Sequence, residues 1–240
     1  MKSTSSPFLS CILLLILPLS TLSQSDLNCN AHDKAILLKV KAHFGGVGLL
    51  SDWDPKDDCC DWDFIGCTGE ESPNPGRVTA LTISGGTGLK GTIPEEIGDL
   101  PFLNNVMFFD EPKLTGPIPQ SFSKLTNLRV LTLNSNSLTG PIPAFLGQLK
   151  SLSQVDLSDN RFSGPLPGSL SGLARLSSFN VSHNMLTGSV PNLKARSLTS
   201  LDVSDNQLCG PIPAALEKFG AAAFEHNKLI KRLLSSYYKS

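Results

Sequence analysis

The chain has 240 residues, of which 40% are apolar and 17% are charged, and its formal net charge is −1. A charge this close to neutral argues against a general affinity for polyanions, so nucleic acid is not an expected partner. The composition is ordinary for a folded soluble domain.

The first 23 residues are typical of a cleaved secretory signal. Lys2 precedes an apolar run over residues 8–19, and small residues follow it near position 20. The run is shorter than the roughly 20 apolar residues that cross a bilayer, so no membrane span is predicted. We expect the mature protein in the extracellular space, where cysteines pair.

Residues 24–77 are predicted to form an N-terminal cap. Asn30 suits a helix N-cap, apolar residues follow it at helical spacing, and Gly45 and Gly46 end the pattern.

Four cysteines of the cap cluster in sequence. Cys11 is removed with the signal, and four of the five remaining cysteines lie in this segment, which predicts two disulfides. Their spacing is not that of a zinc site, and the aspartates over residues 52–63 lack a calcium loop's glycine and final glutamate. No metal site is predicted. The clustered cysteines are Cys29, Cys59, Cys60 and Cys67.

One pattern recurs six times over residues 78–213. The stretch from Leu131 to Pro143 returns 24 residues later from Val155 to Pro167, with apolar residues, an asparagine, a glycine and a proline at fixed offsets. This is the signature of leucine-rich repeats, in which each unit is a strand and a return arm. Because one unit cannot bury its own leucines, stacked units share one core. The sequence therefore predicts an α/β solenoid, a right-handed superhelix with a parallel sheet on its concave side.

An asparagine closes the strand in the last four copies. Its amide can satisfy backbone groups of neighbouring coils, so these residues are predicted to form a structural ladder rather than a catalytic set. Gly86 and Glu111 hold this position in the first two copies, which predicts a looser ladder there. The ladder residues are Asn136, Asn160, Asn184 and Asn206.

Residues 214–240 are predicted to form a helical C-terminal tail. Their apolar residues are partly at helical spacing, and a helix there would cover the leucines of the last coil. The apolar residues are Leu216, Phe219, Phe224, Ile230, Leu233, Leu234 and Tyr237.

The cap and coils together resemble plant polygalacturonase-inhibiting proteins. The resemblance covers about Cys29 to Pro213 and lies in Leu-Ser-Asp-Trp, Asp-Cys-Cys-Asp-Trp and coils that end in Leu-Thr-Gly-Pro-Ile-Pro. It implies a disulfide-bonded plant defence protein of the cell wall that docks on fungal endo-polygalacturonase, with pectin as a further partner. It also implies that Cys29 pairs with Cys59 and Cys60 with Cys67. Receptor ectodomains share the coil ending, so that motif specifies the fold and not the ligand.

Two departures mark this chain as a short variant. The family has about ten coils where this chain has six, and residue 229 is a leucine where the family has a cysteine after Asn-Lys. Cys209 thereby loses the partner that the resemblance implies, and it is predicted to be unpaired or to join another molecule.

No catalytic residue and no cofactor are predicted, so an enzyme is not expected. The segment Gly86-Thr-Gly88-Leu-Lys-Gly91 fits a dinucleotide fingerprint, but the repeat explains its glycines and no helix follows it. The four histidines are scattered over unrelated segments.

Function is therefore assigned to the concave surface, on which residues that alternate with the buried leucines point outward. A sequon, Asn180-Val-Ser182, places a candidate glycan on the same face. The predicted partner-binding residues are Thr82, Met107, Arg129, Thr132, Asn134, Gln154, Asp156, Ser158, Ser178, Asn180, His183, Asp202 and Ser204.

Two functions remain open from the sequence. The first is polygalacturonase inhibition, and the alternative is a soluble peptide-binding or receptor-binding module of cell-surface signalling. Ice binding ranks below both, because the central row of Thr, Met, Thr, Asp, Asn and Asp is not a regular array.

Overall fold

The structure is a computed structural model that describes residues 28–46, 48–85 and 88–230. The predicted signal sequence with Cys11, Gly86 of the ladder, and Leu233, Leu234 and Tyr237 of the tail lie outside the described residues. Within the described ranges, none of the helices combines the length and apolarity needed to cross a bilayer.

The cap begins with a helix, α1 (Ala31–His43). Asn30 caps it as predicted, because its side chain accepts hydrogen bonds from the backbone N–H groups of His32 and Asp33. Ile36, Leu37 and Val40 form its buried face and join the core. Short 3₁₀ turns follow at Gly48–Leu50 and Cys59–Asp61.

Two parallel sheets run the length of the solenoid. In chain order their strands are β1 (Ile65–Cys67), β2 (Val78–Ser84), β3 (Gly91–Thr92), β4 (Asn105–Phe109), β5 (Leu114–Gly116), β6 (Val130–Thr132), β7 (Ser137–Gly140), β8 (Gln154–Asp156), β9 (Arg161–Pro165), β10 (Ser178–Asn180), β11 (Met185–Gly188), β12 (Ser200–Asp202), β13 (Gln207–Pro211) and β14 (Lys228–Ile230). The first sheet has the order β1-β2-β4-β6-β8-β10-β12 and the second the order β14-β13-β11-β9-β7-β5-β3. Only β1 is antiparallel to its neighbour β2 in the first sheet.

The parallel first sheet confirms the predicted solenoid, and the second sheet is an addition to it. Six strands of the second sheet lie at the Leu-x-Gly or Phe-x-Gly segments that follow the bends, and the seventh, β14, has no glycine. The sheet's glycines, such as Gly140 and Gly164, have φ near +80°, which a residue with a side chain adopts at a cost. The glycines of the repeat are therefore needed for the left-handed backbone conformation of this sheet. Short 3₁₀ helices follow the Ile-Pro or Leu-Pro motif of the first four coils and of the last, whereas the described residues after Val190-Pro191 in the fifth coil form none.

The core is one continuous cluster from the cap to the last coil, built from the repeated leucines. The asparagine ladder is present: Asn160, for example, accepts from the N–H of Leu138 and donates to the carbonyl of Leu133. Glu111 is fully buried in the second coil, and its carboxylate accepts from the N–H groups of Gly88 and Leu89. The carboxylate thus replaces the amide as acceptor in the second coil, but it cannot donate to carbonyls as the asparagines do.

Over residues 214–230 the tail differs from the expected helix. It forms two 3₁₀ turns, Ala214–Leu216 and Ala221–Phe224, and then strand β14, which pairs with β13. Asn227 accepts from the N–H of Leu208 and donates to the carbonyl of Val203, as a ladder asparagine does. These residues therefore form a further, shortened coil. Their side chains follow the spacing of the repeat and do not form the apolar face of a helix.

Candidate binding surface

The central row of the concave sheet is continuous. Strand register places six outward residues side by side, one on each parallel strand from β2 to β12. Each is half-buried between rows of buried leucines or their equivalents. The predicted row therefore exists in the fold, and it comprises Thr82, Met107, Thr132, Asp156, Asn180 and Asp202.

Two further rows flank the central one. Register aligns Val130 with the predicted residues Gln154 and Ser178 on one side. Phe109 follows Met107 at the two-residue spacing of a strand, so it lies on the same face. Val130 and Phe109 are half-buried, and the sequence-based prediction missed both because beside the central row it selected only polar residues. The period of two that found Met107 and Thr132 could have found them.

Two predicted contact residues need correction, because Ser158 and Ser204 are buried, with 5% and 7% exposure. The N–H and hydroxyl of Ser158 donate to Oδ1 of Asp156 at 3.0 and 2.7 Å. The N–H of Ser204 donates to Oδ1 of Asp202 at 2.9 Å. These serines cannot serve as open contacts, but they fix the carboxylates where each strand ends.

Asn180 has the same local geometry between the two aspartates. Its Oδ1 accepts from the N–H and the hydroxyl of Ser182 at 3.0 and 2.8 Å. An N-linked glycan bonds to the amide nitrogen, so it would leave these hydrogen bonds in place. A glycan here would stand in the middle of the row, between Asp156 and Asp202.

The rim beside the last three strands is also polar. Asp159, His183 and Asp205 occupy left-handed bend positions with φ of 51 to 52°, which aspartate and histidine tolerate better than most residues. Asp205 lies 3.5 Å from His183 Nε2 and 2.7 Å from Nδ1 of His226. Arg129 is exposed just before strand β6, and Asn134 is half-buried just after it. His183 and Arg129 thus lie beside the sheet, not on its strands.

The cysteines of the cap form the two pairs that the resemblance implies. Cys29 is bonded to Cys59 and Cys60 to Cys67, with Cα–Cα distances of 5.4 and 5.6 Å. Three of these sulfurs and a carboxylate oxygen of Asp58 lie within 4.8 Å of one another. Zinc binds thiolates, and these sulfurs are in disulfides, so the donor chemistry does not fit a zinc site. Cys209 is unpaired and exposed on β13.

Comparison with known proteins assigns the chain to a family. The leucine rich repeat N-terminal domain model matches residues 30–68, and leucine rich repeat models match residues 126–186 and 197–219. The crystal structure of pollen receptor kinase 3 is 31% identical with a TM-score of 0.68, and the similarity covers 84% of this chain and 98% of that one. The chain belongs to the plant leucine-rich-repeat proteins.

Two other relatives show the range of this leucine-rich-repeat family. Polygalacturonase inhibitor 1 of Arabidopsis thaliana is 44% identical over 124 residues, which are 52% of this chain and 36% of that protein. The crystal structure of a plant ice-binding protein is 36% identical with a TM-score of 0.76, covering 84% of this chain and 65% of that one. The resemblance to the inhibitors is confirmed. The chain spans about a third of the length of the curated inhibitors that it matches.

Proposed function

We propose that this protein is secreted into the plant cell wall and binds another extracellular protein through its concave sheet, with fungal endo-polygalacturonase as the leading partner. The observation that carries this proposal is the continuous outward row, whose last three strands present Asp156, Asn180 and Asp202. The similarity to proteins named polygalacturonase inhibitor supports the choice of partner.

Charge complementarity gives the proposed contact its physical basis. An enzyme that cleaves an anionic polymer needs a basic cleft to hold it. A sheet with aspartates on two alternate strands can dock at the rim of such a cleft and obstruct it. The carboxylates are held in place by Ser158 and Ser204, which lowers the entropy cost of presenting them.

The size of the sheet limits the affinity. Six parallel strands about 4.8 Å apart span roughly 24 Å, and about five residues of strand cover roughly 17 Å, giving a flat area near 400 Å². A stable interface takes about 800 Å² per partner. A tight complex would therefore also need contacts from the rim formed by Asp159, His183 and Asp205. Without these contacts, we expect weaker binding than an interface of about 800 Å² per partner supports.

The test is an inhibition and binding assay of the mature chain against a panel of fungal endo-polygalacturonases. We expect Asp156→Lys combined with Asp202→Lys to weaken binding at least about tenfold and to flatten its salt dependence, since attraction between fixed charges is screened by salt. Glu70→Lys combined with Glu217→Lys is the matched control, because both residues are exposed, both lie outside the sheet, and the net charge changes by the same amount. Unchanged affinity and salt dependence in the double variant would show that this sheet is not the contact.

A second candidate is the soluble peptide-binding or receptor-binding module. It is favoured by the similarity to pollen receptor kinase 3, which extends over 98% of that crystallised chain. A pulldown from plant cell-wall extract separates the two: retention of receptor ectodomains favours the module, and retention of an added pectinase favours the inhibitor. Pectin is a further proposed contact in the wall. Ice binding is not proposed, because the central row is chemically irregular.

A further inference from the structure

The concave sheet has a chemical gradient along the solenoid. Its N-terminal half carries Met107 and Phe109 on β4 and Val130 on β6, all half-buried and facing outward. Its C-terminal half carries Asp156 on β8 and Asp202 on β12. A partner that covers the whole sheet must therefore offer an apolar group at one end and positive charge at the other.

The spacing of these residues is regular. Met107, Asp156 and Asp202 belong to the central row and lie on β4, β8 and β12, which are every second strand of the sheet. With strands about 4.8 Å apart, successive members of this set are about 9.6 Å apart along the row.

A polyproline II helix has nearly the same repeat. It has three residues per turn and a rise of about 3.1 Å per residue, so side chains three residues apart point the same way at intervals of about 9.3 Å. An extended β-strand fits less well, because its side chains alternate every two residues at about 6.6 to 6.8 Å.

We propose that the concave sheet binds a polyproline II segment of another protein, laid across the strands, with the pattern apolar-x-x-basic-x-x-basic in either chain direction. The apolar side chain packs on Met107, Phe109 and Val130, and the two basic side chains reach Asp156 and Asp202. The proposal rests on the concave contact surface of the proposed function, but not on a polygalacturonase as the partner.

The residues between the anchors suit such a ligand. Thr132 and Asn180 lie on the intervening strands β6 and β10 of the same row. A polyproline II backbone makes no internal hydrogen bonds, so its carbonyls are available to the Thr132 hydroxyl and the Asn180 amide. Arg129 is exposed beside β6, where the proposed segment carries no basic residue.

Addition of the partner as a further strand is disfavoured at the C-terminal edge of this sheet. The N–H groups of Val203 and Asp205, just after β12, donate to the carbonyls of Ala223 and Glu225 in the terminal coil. Recognition across the face through side chains is therefore the mode that the fold leaves open there. Proline-rich ligands dock through side chains on aromatic-lined surfaces, and Phe109 is the aromatic residue of the proposed contact.

The test is an NMR titration of the ¹⁵N-labelled mature chain with the synthetic peptide Phe-Pro-Pro-Lys-Pro-Pro-Lys. We expect shifts at Met107, Phe109, Asp156 and Asp202, and an affinity at least fivefold above that of three control peptides. In the controls Ser replaces Phe, Glu replaces both Lys, or one proline is added to each spacer to break the period of three.

Variants of the chain assign the contact to the sheet. Met107→Lys should lower peptide affinity at least fivefold, whereas Met185→Lys should not, because Met185 is 45% exposed on the second sheet. Equal affinity for the matched and the four-residue-spaced peptides, or equal effects of the two lysine variants, would overturn the proposal. The titration contains no enzyme, so a chain that binds the peptide but no pectinase refutes only the polygalacturonase as partner. A chain that binds a pectinase but not the peptide refutes only this inference.

Discussion

At the scale of single residues, Asp33 shows how the cap is joined to the repeats. This fully buried carboxylate accepts from Nε and a terminal nitrogen of Arg77 at 2.9 and 2.8 Å, and from the N–H of Val78 at 2.9 Å. Arg77 also lies over the ring of Phe102, 4.1 Å from its centroid. One helical residue thus fixes the start of the first long strand.

Arg77→Met should therefore destabilise the protein by about 3 kcal/mol or more, because it leaves the Asp33 charge buried without its partner. The control is Lys124→Met, which removes the exposed ion pair with Asp99 and should cost less than about 1 kcal/mol. Urea denaturation of the three proteins measures both changes. Equal free energies of unfolding for the two variants would contradict this role of Arg77.

The same residues show what the sequence could predict at this scale. The buried leucines and the asparagine ladder were predictable, because the period repeats their environment in every coil. Asp33 and Arg77 are 44 positions apart and occur once, so no pattern links them. Ser158 was predicted as a contact because alternation gives the face of a residue, but not the local hydrogen bonds that bury it.

At the scale of elements, the 3₁₀ helices pack coil against coil at a distance that glycine sets. A Cβ on Gly147 would lie 2.3 Å from backbone atoms of Ser169 in the next coil, which cannot move without shifting that helix. A Cβ on Gly172 would meet only the Lys150 ammonium within 3 Å, and that flexible side chain can move.

Gly147→Ala should accordingly cost about 2 kcal/mol through overpacking. Gly172→Ala, at the last residue of a like 3₁₀ helix, should stay within about 0.5 kcal/mol of the parent protein, because relief of the contact is easy and the unfolded chain loses entropy. Chemical denaturation compares them. A loss at Gly172 as large as that at Gly147 would mean that the steric contact is not the cause.

The elements also show why the tail was predicted incorrectly. Its apolar residues fit a helical stripe in part, but Phe224, Asn227 and Leu229 continue the spacing of Val203, Asn206 and Leu208 at an interval of 21 residues. The segment fits both a helical period and the period of the repeat, and the contacts available at the last coil determine which one forms. β13 needs a partner strand, which a helix cannot supply. The second sheet was missed for a related reason, since its strands depend on left-handed glycines rather than on alternation.

At the scale of the whole molecule, the two ends of the solenoid are closed differently. The N-terminal end has α1, the antiparallel strand β1 and two disulfides, whereas within the described residues the C-terminal end is closed by the short coil that includes Phe224 and β14. In a solenoid each coil contacts only its neighbours, so stability varies along its length. Opening should therefore begin at the C-terminal end.

Phe224→Ala should enhance this difference, because Phe224 is 6% exposed and its truncation leaves a cavity under the last coil. We expect hydrogen exchange over residues 200–216 to accelerate at least about tenfold, while residues 78–109 keep their protection, since nearest-neighbour coupling weakens with distance. Ile230→Ala is the control, because its side chain is 63% exposed in the same coil and should change neither region. Equal acceleration in all coils would instead show that the solenoid opens as one cooperative unit and that its C-terminal coil is not the weak end.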